Sequence, residues 1–254
     1  MKKLYRKENE LKLKELVTAP ISNLYLMRTL ELVLSNLNLS KDDSILEIGI
    51  GSGFETFILS KRSKEVVGID ISEHLIKFLN KKLRLGNTDF YVMDATKEPP
   101  NEFMGVFDKC ICLDVLEHVE DPENFLNFIQ EILKREGYLG MTFPINKEHG
   151  RNRFTEEDVY NLFEGLDLRA DIRIVKQNNF GSLISKFYAK VQSILKPPKE
   201  SDIFENLTAF EMLQNPKRIH WLYKLGIIFL FKISAHTYCE DELGQRALVI
   251  AQKV

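Results

Sequence analysis

Cysteine is scarce in this chain of 254 residues, which contains Cys110, Cys112 and Cys239 and no others. Three cysteines build no disulfide framework, and their spacing does not form the paired C-x-x-C pattern of a metal site. Cys110 and Cys112 are two residues apart in an apolar run, so both are expected on one face of a strand. There they are most simply read as buried apolar side chains.

A surplus of either charge is also missing, because 35 Lys and Arg residues stand against 37 Asp and Glu residues. This balance argues against a strongly basic face that binds nucleic acid, although it does not exclude a local basic patch. No run of about 20 apolar residues occurs, so no membrane span is expected. The charged N-terminus lacks the apolar segment of a secretory signal. We therefore expect a cytoplasmic protein, of a length that suits one domain with additions or one and a half domains.

Glycine is concentrated at one place, the end of an apolar run that begins at Ser44 and includes Gly49, Gly51 and Gly53. The run predicts a buried strand that turns at once into a helix. Glycines at such a junction allow a tight turn and let a ligand approach the main chain. The N–H groups at the start of the helix then offer hydrogen bonds to an acceptor.

Carboxylates end the next predicted strands along the chain. Asp70 ends the run 66–70, Asp94 follows the run 90–93, and Asp114 follows the run 106–113. Ligands of open parallel sheets bind beyond the carboxyl ends of the strands, so the ordered set indicates a binding site. Taken singly, each acid is equally consistent with a solvated helix cap.

Strands and helices alternate from Ser44 to residue 175, which is typical of a parallel sheet covered by helices on both faces. An amphipathic helix is predicted after Pro20, and helix starts are predicted at Asp121-Pro122 and at Thr155. The predicted division is an N-terminal helical cap at 1–40, a core at 41–177, a helical insert at 178–244, and a final strand at 245–254.

The predicted insert is unusually apolar, with one helical face between residues 180 and 194 and an aromatic and aliphatic run at 221–235. A connection of this length inside a compact domain is expected to carry structure of its own. One interpretation is a helix packed against the sheet. The other is a lid that lines an apolar binding pocket or rests on a bilayer surface.

Several segments together resemble the class I S-adenosylmethionine-dependent methyltransferases, and most closely the group that includes the ubiquinone-biosynthesis O-methyltransferases. These segments are residues 46–53, 68–70, 94–95, 107–108 and 114–122. The resemblance covers about residues 43–175. It implies an α/β fold with a Rossmann-like, seven-stranded sheet, mostly parallel with the last strand antiparallel. N-terminal helices and a helical insert before the last strand would complete it.

The resemblance also implies a binding site for S-adenosylmethionine. The glycine turn would meet the methionine part of the cofactor, Asp70 would hold the ribose, and Asp94 would reach the adenine amino group, with Ala95 acting through its backbone or by contact with the ring. The predicted cofactor-binding residues are Glu47, Gly49, Gly51, Gly53, Asp70, Ile71, Asp94, Ala95 and Asp114. The rival interpretation is a nicotinamide-dependent oxidoreductase, which prefers a third glycine where Phe54 stands.

The end of the fourth predicted strand is where a methyl acceptor is expected, and the predicted catalytic residues there are Asp114, Glu117 and His118. His118 is the candidate general base, because the ordinary pKa of imidazole suits proton removal near neutral pH. Alternatively, His118 orders the loop before Asp121. No metal is predicted, but Asp114, Glu117 and His118 also resemble an E-x-x-E-H metal cluster to which His149 would add a ligand, with Asp114 in place of the longer Glu.

Specificity is expected to depend on residues around this strand end. The predicted rim of the acceptor site consists of Tyr25, Arg28, Asn146, His149, Arg151 and Arg153. The predicted function is methyl transfer to a small or amphipathic, lipid-like molecule, with oxygen favoured as acceptor. Methylation of RNA or protein and a non-catalytic binding module are the alternatives. Peripheral membrane contact through the insert is a further expectation, and the oligomeric state is not predicted.

Overall fold

The computed structural model describes residues 20–51, 53–83, 85–145, 151–177, 238–239 and 246–254. Its helices are α1 (Pro20–Leu37), α2 (Phe54–Ser60), α3 (Glu73–Lys82), α4 (Pro122–Ile132) and α5 (Glu156–Asn161). Its strands are β1 (Ser44–Ile48), β2 (Glu65–Asp70), β3 (Thr88–Val92), β4 (Phe107–Leu113), β5 (Leu133–Pro144), β6 (Leu168–Gln177), β7 (Tyr238–Cys239) and β8 (Arg246–Lys253).

One sheet contains all of these strands, in the order β3-β2-β1-β4-β5-β8-β6-β7. The strands β1 to β5 pair in parallel, and β8 runs antiparallel between β5 and β6. The prediction of a mostly parallel Rossmann-like sheet with an antiparallel last strand is therefore confirmed. The two-residue strand β7 is an addition at the edge, in the segment predicted to be helical, where Tyr238 and Cys239 follow a β-branched threonine.

The contacts between residues group the chain into two compact units. The first comprises Met1–Arg28 and Lys176–Leu243, and the second comprises Thr29–Val175 and Gly244–Val254. Within the first unit, the structure describes helical residues 20–28 and the pairing of the end of β6 with β7. The predicted apolar helices at 180–194 and 221–235 lie outside the described residues. The predicted four-part division of the chain stays a prediction.

The core of the second unit is built on both faces of the sheet, because alternate residues of each strand point to opposite sides. Along β1, Ile45 packs with the apolar side of α1, whereas Leu46 and Ile48 join a larger cluster that includes the apolar faces of α4 and α5. Cys110 and Cys112 are fully buried in this larger cluster, as expected.

Local sequence signals place the helix starts. The Asp121 side chain accepts a hydrogen bond from the N–H of Asn124 at 3.0 Å, with Pro122 in the first turn of α4. Thr155 and Asp158 form a reciprocal capping box at the start of α5. Both predictions are confirmed. Among the helices that the structure describes, none is both long and apolar enough to cross a bilayer. The cytoplasmic location stays a prediction.

Gly140 of β5 allows α1 to pack closely on the sheet, and this contact gives a test of the fold. A Cβ atom there would lie 2.4 Å from Cγ1 of Val33 and 2.6 Å from Cδ1 of Leu37. We expect Gly140→Val to lower the free energy of unfolding by about 2 kcal/mol or more, because overpacked cores shift at a cost of this size. Urea unfolding measures it.

The matched control is Gly86→Ala, because a Cβ at Gly86 meets no atom within 4 Å in the part of the chain that the structure describes. This variant is expected to unfold at nearly the wild-type urea concentration. Equal stability of Gly140→Val and the wild type would show that α1 does not pack on β5 in this way.

Candidate functional site

The glycine turn after β1 combines two tightly packed positions with one open position. Gly49, Gly51 and Gly53 all have positive φ angles, of 76°, 48° and 75°. A Cβ at Gly49 would lie 2.3 Å from Cγ2 of Val115, and one at Gly53 would lie 2.8 Å from Cδ2 of Leu79. A Cβ at Gly51 would meet no atom of the described residues within 4 Å. A ligand can therefore approach the main chain at Gly51.

Asp70 lies beside this turn, because the N–H of Gly49 donates to the carbonyl of Ile69 at 2.9 Å. The Asp70 side chain is half-buried, and its Oδ1 accepts a hydrogen bond from the N–H of Ser72 at 2.8 Å. The next residue, Ile71, is 54% exposed. The carboxyl end of β2 therefore presents a carboxylate next to an apolar side chain. This pair suits a ligand that has both hydroxyl groups and a flat ring.

Asp94 and Ala95 follow β3 and differ in exposure. Oδ1 of Asp94 accepts hydrogen bonds from the N–H and the hydroxyl of Thr96, at 3.0 and 2.7 Å, and the residue is exposed. The Ala95 side chain is buried in the larger core cluster. Asp94 therefore orders its own turn, and its exposed carboxylate remains at the same sheet edge as Asp70.

Two buried acids lie behind the glycine turn. Glu47 of β1 accepts a hydrogen bond from Oγ1 of Thr56 at 2.6 Å. Burial, together with the charge of Glu55, raises the pKa of Glu47 well above its ordinary value, although the Thr56 hydrogen bond opposes the shift. Burial raises the pKa of Glu55 to about 7. Glu47 is thus buried and held by α2, and its predicted role toward the cofactor stays a prediction.

Asp114 continues directly from β4 with a left-handed backbone, at a φ of 57°. Its N–H donates to the carbonyl of Thr142 at 2.8 Å, and its carboxylate forms an ion pair with the guanidinium of Arg246 at the start of β8. The following residue, Val115, contacts Gly49. Asp114 therefore stands next to the glycine turn, and its predicted cofactor-binding and catalytic roles stay predictions. Arg246 was not among the predicted residues.

Glu117 and His118 form a 3-10 turn with Leu116, and they differ in access to solvent. The Glu117 side chain is 2% exposed, and its backbone carbonyl accepts hydrogen bonds from the N–H groups of Arg151 and Asn152, at 2.7 and 3.0 Å. The His118 side chain is 27% exposed, and its Nε2 lies 4.0 Å from Oε1 of Glu117. Of the two, His118 is the group that an acceptor can reach.

The described residues do not test the alternative prediction of a metal site at Asp114, Glu117, His118 and His149. In the described parts of the chain, no three His, Cys, Asp or Glu side chains lie together as a metal site. His149, the fourth residue of that alternative, lies outside the described residues.

The predicted rim is also described only in part. Arg151 forms an ion pair with Glu120 at 3.3 Å. Arg151 and Arg153 both line a cleft of about 590 Å³ beside α4 and α5. Asn146 and His149 lie outside the described residues, as do the side chains of Tyr25 and Arg28. The two described arginines are thus placed at this cleft.

Comparisons with known proteins agree with this geometry. Residues 46–141 match the family model of a methyltransferase domain. A ubiquinone biosynthesis O-methyltransferase of Chromobacterium violaceum is 29% identical over 96 residues, which are 37% of this chain and 41% of that protein. A non-reducing polyketide synthase of Penicillium brasilianum is 28% identical over 152 residues, which are 57% of this chain and 6% of the synthase. The chain thus spans less than half the length of either relative.

Solved structures share the fold. Phosphoethanolamine N-methyltransferase 2 of Haemonchus contortus, in complex with S-adenosylmethionine, has a TM-score of 0.58 at 14% identity, covering 88% of this chain and 52% of that chain. The cyclase SpnF has a TM-score of 0.55 at 16% identity, covering 89% and 80%. Residues 46–141 therefore match a methyltransferase domain, and the chain shares its fold with these structures. The predicted family and cofactor are confirmed at the level of this domain.

The buried Glu55 generates a prediction about stability and pH. In the unfolded chain a glutamate has a pKa near 4.3, so the folded protein keeps this proton to a higher pH than the unfolded chain. The free energy of unfolding therefore falls as pH rises from about 4 to about 7. We expect Glu55→Gln to be about 3 kcal/mol more stable than the wild type at pH 8 and equally stable at pH 4.

Urea unfolding at the two pH values measures this difference. Glu131→Gln is the control, because Glu131 is an exposed residue of α4, and its effect is expected to be the same at both pH values. If Glu55→Gln and the wild type differed by the same amount at pH 4 and pH 8, burial would not control the ionisation of Glu55.

Proposed function

We propose that this chain is an S-adenosylmethionine-dependent methyltransferase that acts on a small or amphipathic molecule, with a hydroxyl oxygen favoured as acceptor. The observation that carries the proposal is the open position at Gly51 after β1, with the carboxylates of Asp70 and Asp94 at the carboxyl ends of β2 and β3 and the accessible His118 after β4. Methyl transfer to a hydroxyl needs these elements together: a main chain that a donor can approach, acceptors for its hydrogen bonds, and a base at the acceptor side.

The residues present fit the donor. Gly51 leaves room for it, and the Asp70 carboxylate would accept hydrogen bonds from the two ribose hydroxyls, which are stronger when the acceptor is charged. The carboxylate of Asp94 would accept from the adenine amino group, and Ile71 would contact the ring. When bound, S-adenosylmethionine supplies a methyl group already activated on a sulfonium.

The protein then has to align the acceptor atom with the methyl carbon and the sulfur, and positioning of this kind supplies several kcal/mol. His118 would take the proton of an acceptor hydroxyl as the oxygen attacks, which general bases do efficiently when their pKa is near the working pH. Glu117, buried beneath the turn, would hold the turn in place. This division of roles is why oxygen is favoured over an amine, which needs no base when neutral.

An apolar acceptor is favoured by the composition of residues 178–244, which lie almost entirely outside the described residues. RNA or protein methylation is the alternative, and the balanced charge of the chain does not favour it. A fold of this class also carries other chemistry, since function depends on the site and not on the fold. Donor binding and methyl transfer therefore need separate tests.

Donor binding is tested with Asp70→Asn. We expect the wild type to bind S-adenosylmethionine with micromolar affinity and the variant to bind about 10- to 100-fold more weakly, because charged hydrogen bonds are replaced by neutral ones. Isothermal titration calorimetry gives both affinities. Asp89→Asn, at an exposed position on β3, is the control and should bind like the wild type. No detectable binding by the wild-type protein would contradict the proposal.

The acceptor class is tested with methyl-labelled S-adenosylmethionine and cell extract separated into lipid, small-molecule, RNA and protein fractions. Label is expected in the lipid or small-molecule fraction. His118→Gln should reduce its rate of transfer about 100-fold or more, because a general base is lost. The donor affinity of this variant should stay that of the wild type. Label confined to RNA or protein would overturn the proposed acceptor class.

A further inference from the structure

Arg246 reaches the candidate site from a strand that the predicted site did not include. It opens β8, opposite Pro144 of β5 on one side and Val175 of β6 on the other. From there its Nη2 forms an ion pair with Oδ1 of Asp114, and only 13% of the arginine side chain is exposed. The last strand therefore brings a nearly buried positive charge to the end of β4.

Asp114 holds its negative charge close to the donor turn. Its backbone is fixed by the hydrogen bond from its N–H to the carbonyl of Thr142, at 2.8 Å. Its neighbour Val115 is in contact with Gly49. The carboxylate is therefore beside the turn over which, in the proposed function, the sulfonium of the donor binds.

We propose that Arg246 is a positioning residue that acts through Asp114, holding its carboxylate and balancing its charge beside the donor. This inference rests on the proposed function. A carboxylate without a counter-charge would stabilise the cationic donor more than the transition state, in which the positive charge is partly dispersed. Stabilising the bound ground state in this way gives no gain in rate. The ion pair removes most of that effect.

The test compares S-adenosylmethionine with S-adenosylhomocysteine, because the second lacks the methyl group and the positive charge. We expect Arg246→Gln to raise the ratio of the two affinities, in favour of the cationic donor, by about fivefold. Asp114→Asn removes the carboxylate charge that pairs with the guanidinium and should lower the ratio by a similar factor. The double variant should return to the wild-type ratio. Isothermal titration calorimetry measures all four proteins.

Arg246→Lys retains the charge and is expected to restore the wild-type ratio. The matched control is Arg173→Gln, which breaks an exposed ion pair with Asp171 on β6 and should leave the ratio unchanged. If Arg246→Gln did not fold, the inference would be decided by Asp114→Asn. In that variant the ratio of the affinity for S-adenosylmethionine to the affinity for S-adenosylhomocysteine must fall for the inference to hold.

Equal changes in the affinities of both ligands, in Arg246→Gln and in Asp114→Asn, would indicate a structural role alone and overturn the inference. In that outcome the proposed function stands, because the wild type still binds both ligands. Failure of the wild type to bind either ligand would overturn the proposed function, and this inference with it.

Discussion

The close contact between Gly49 and Val115 is the constraint on which the rest of the site depends. A methyl group of Val115 occupies the space where a side chain at position 49 would begin, so the ends of β1 and β4 approach each other closely. The N–H of Gly49 also donates to Ile69 at 2.9 Å, which joins the end of β2 to the same turn. Three strand ends therefore meet around the open space at Gly51. Asp70 ends β2 and Asp114 follows β4. Because β2 and β4 are the two neighbours of β1 in the sheet, these acids lie on either side of the turn that follows β1.

Charge near this turn is controlled in two physical ways. Burial raises the pKa of both Glu47 and Glu55, so these two acids keep their protons to a higher pH than an exposed glutamate does. Arg246 pairs with Asp114, so the acid at the end of β4 is balanced by a positive charge. The carboxylates of Asp70 and Asp94 lie at the sheet edge, in contact with local hydrogen-bond donors. This distribution suits a cationic ligand that is held through its sugar and its base.

Local sequence patterns were sufficient to predict the residues at the strand ends. They were not sufficient to predict residues whose position depends on contacts with distant parts of the chain. Asp70 could be placed because apolar residues precede it and its position follows from the strand alone. Arg246 could not, because its contact with Asp114 depends on the antiparallel register of β8 between β5 and β6. Glu55 is in the first turn of α2, where an acid is ordinarily exposed and favoured by the helix dipole. Its burial follows from tertiary packing, which no local pattern contains. His149, which belongs to both the metal alternative and the predicted acceptor rim, lies outside the described residues, as do Asn146 and the side chains of Tyr25 and Arg28.

A crystal structure of the protein with S-adenosylhomocysteine tests the central claim most directly. The account predicts the thioether sulfur over the glycine turn near Gly51, with both ribose hydroxyls donating to the Asp70 carboxylate and the adenine beside Ile71 and Asp94. A ligand bound elsewhere, or bound at the turn with Asp70 directed away from the ribose, would contradict it.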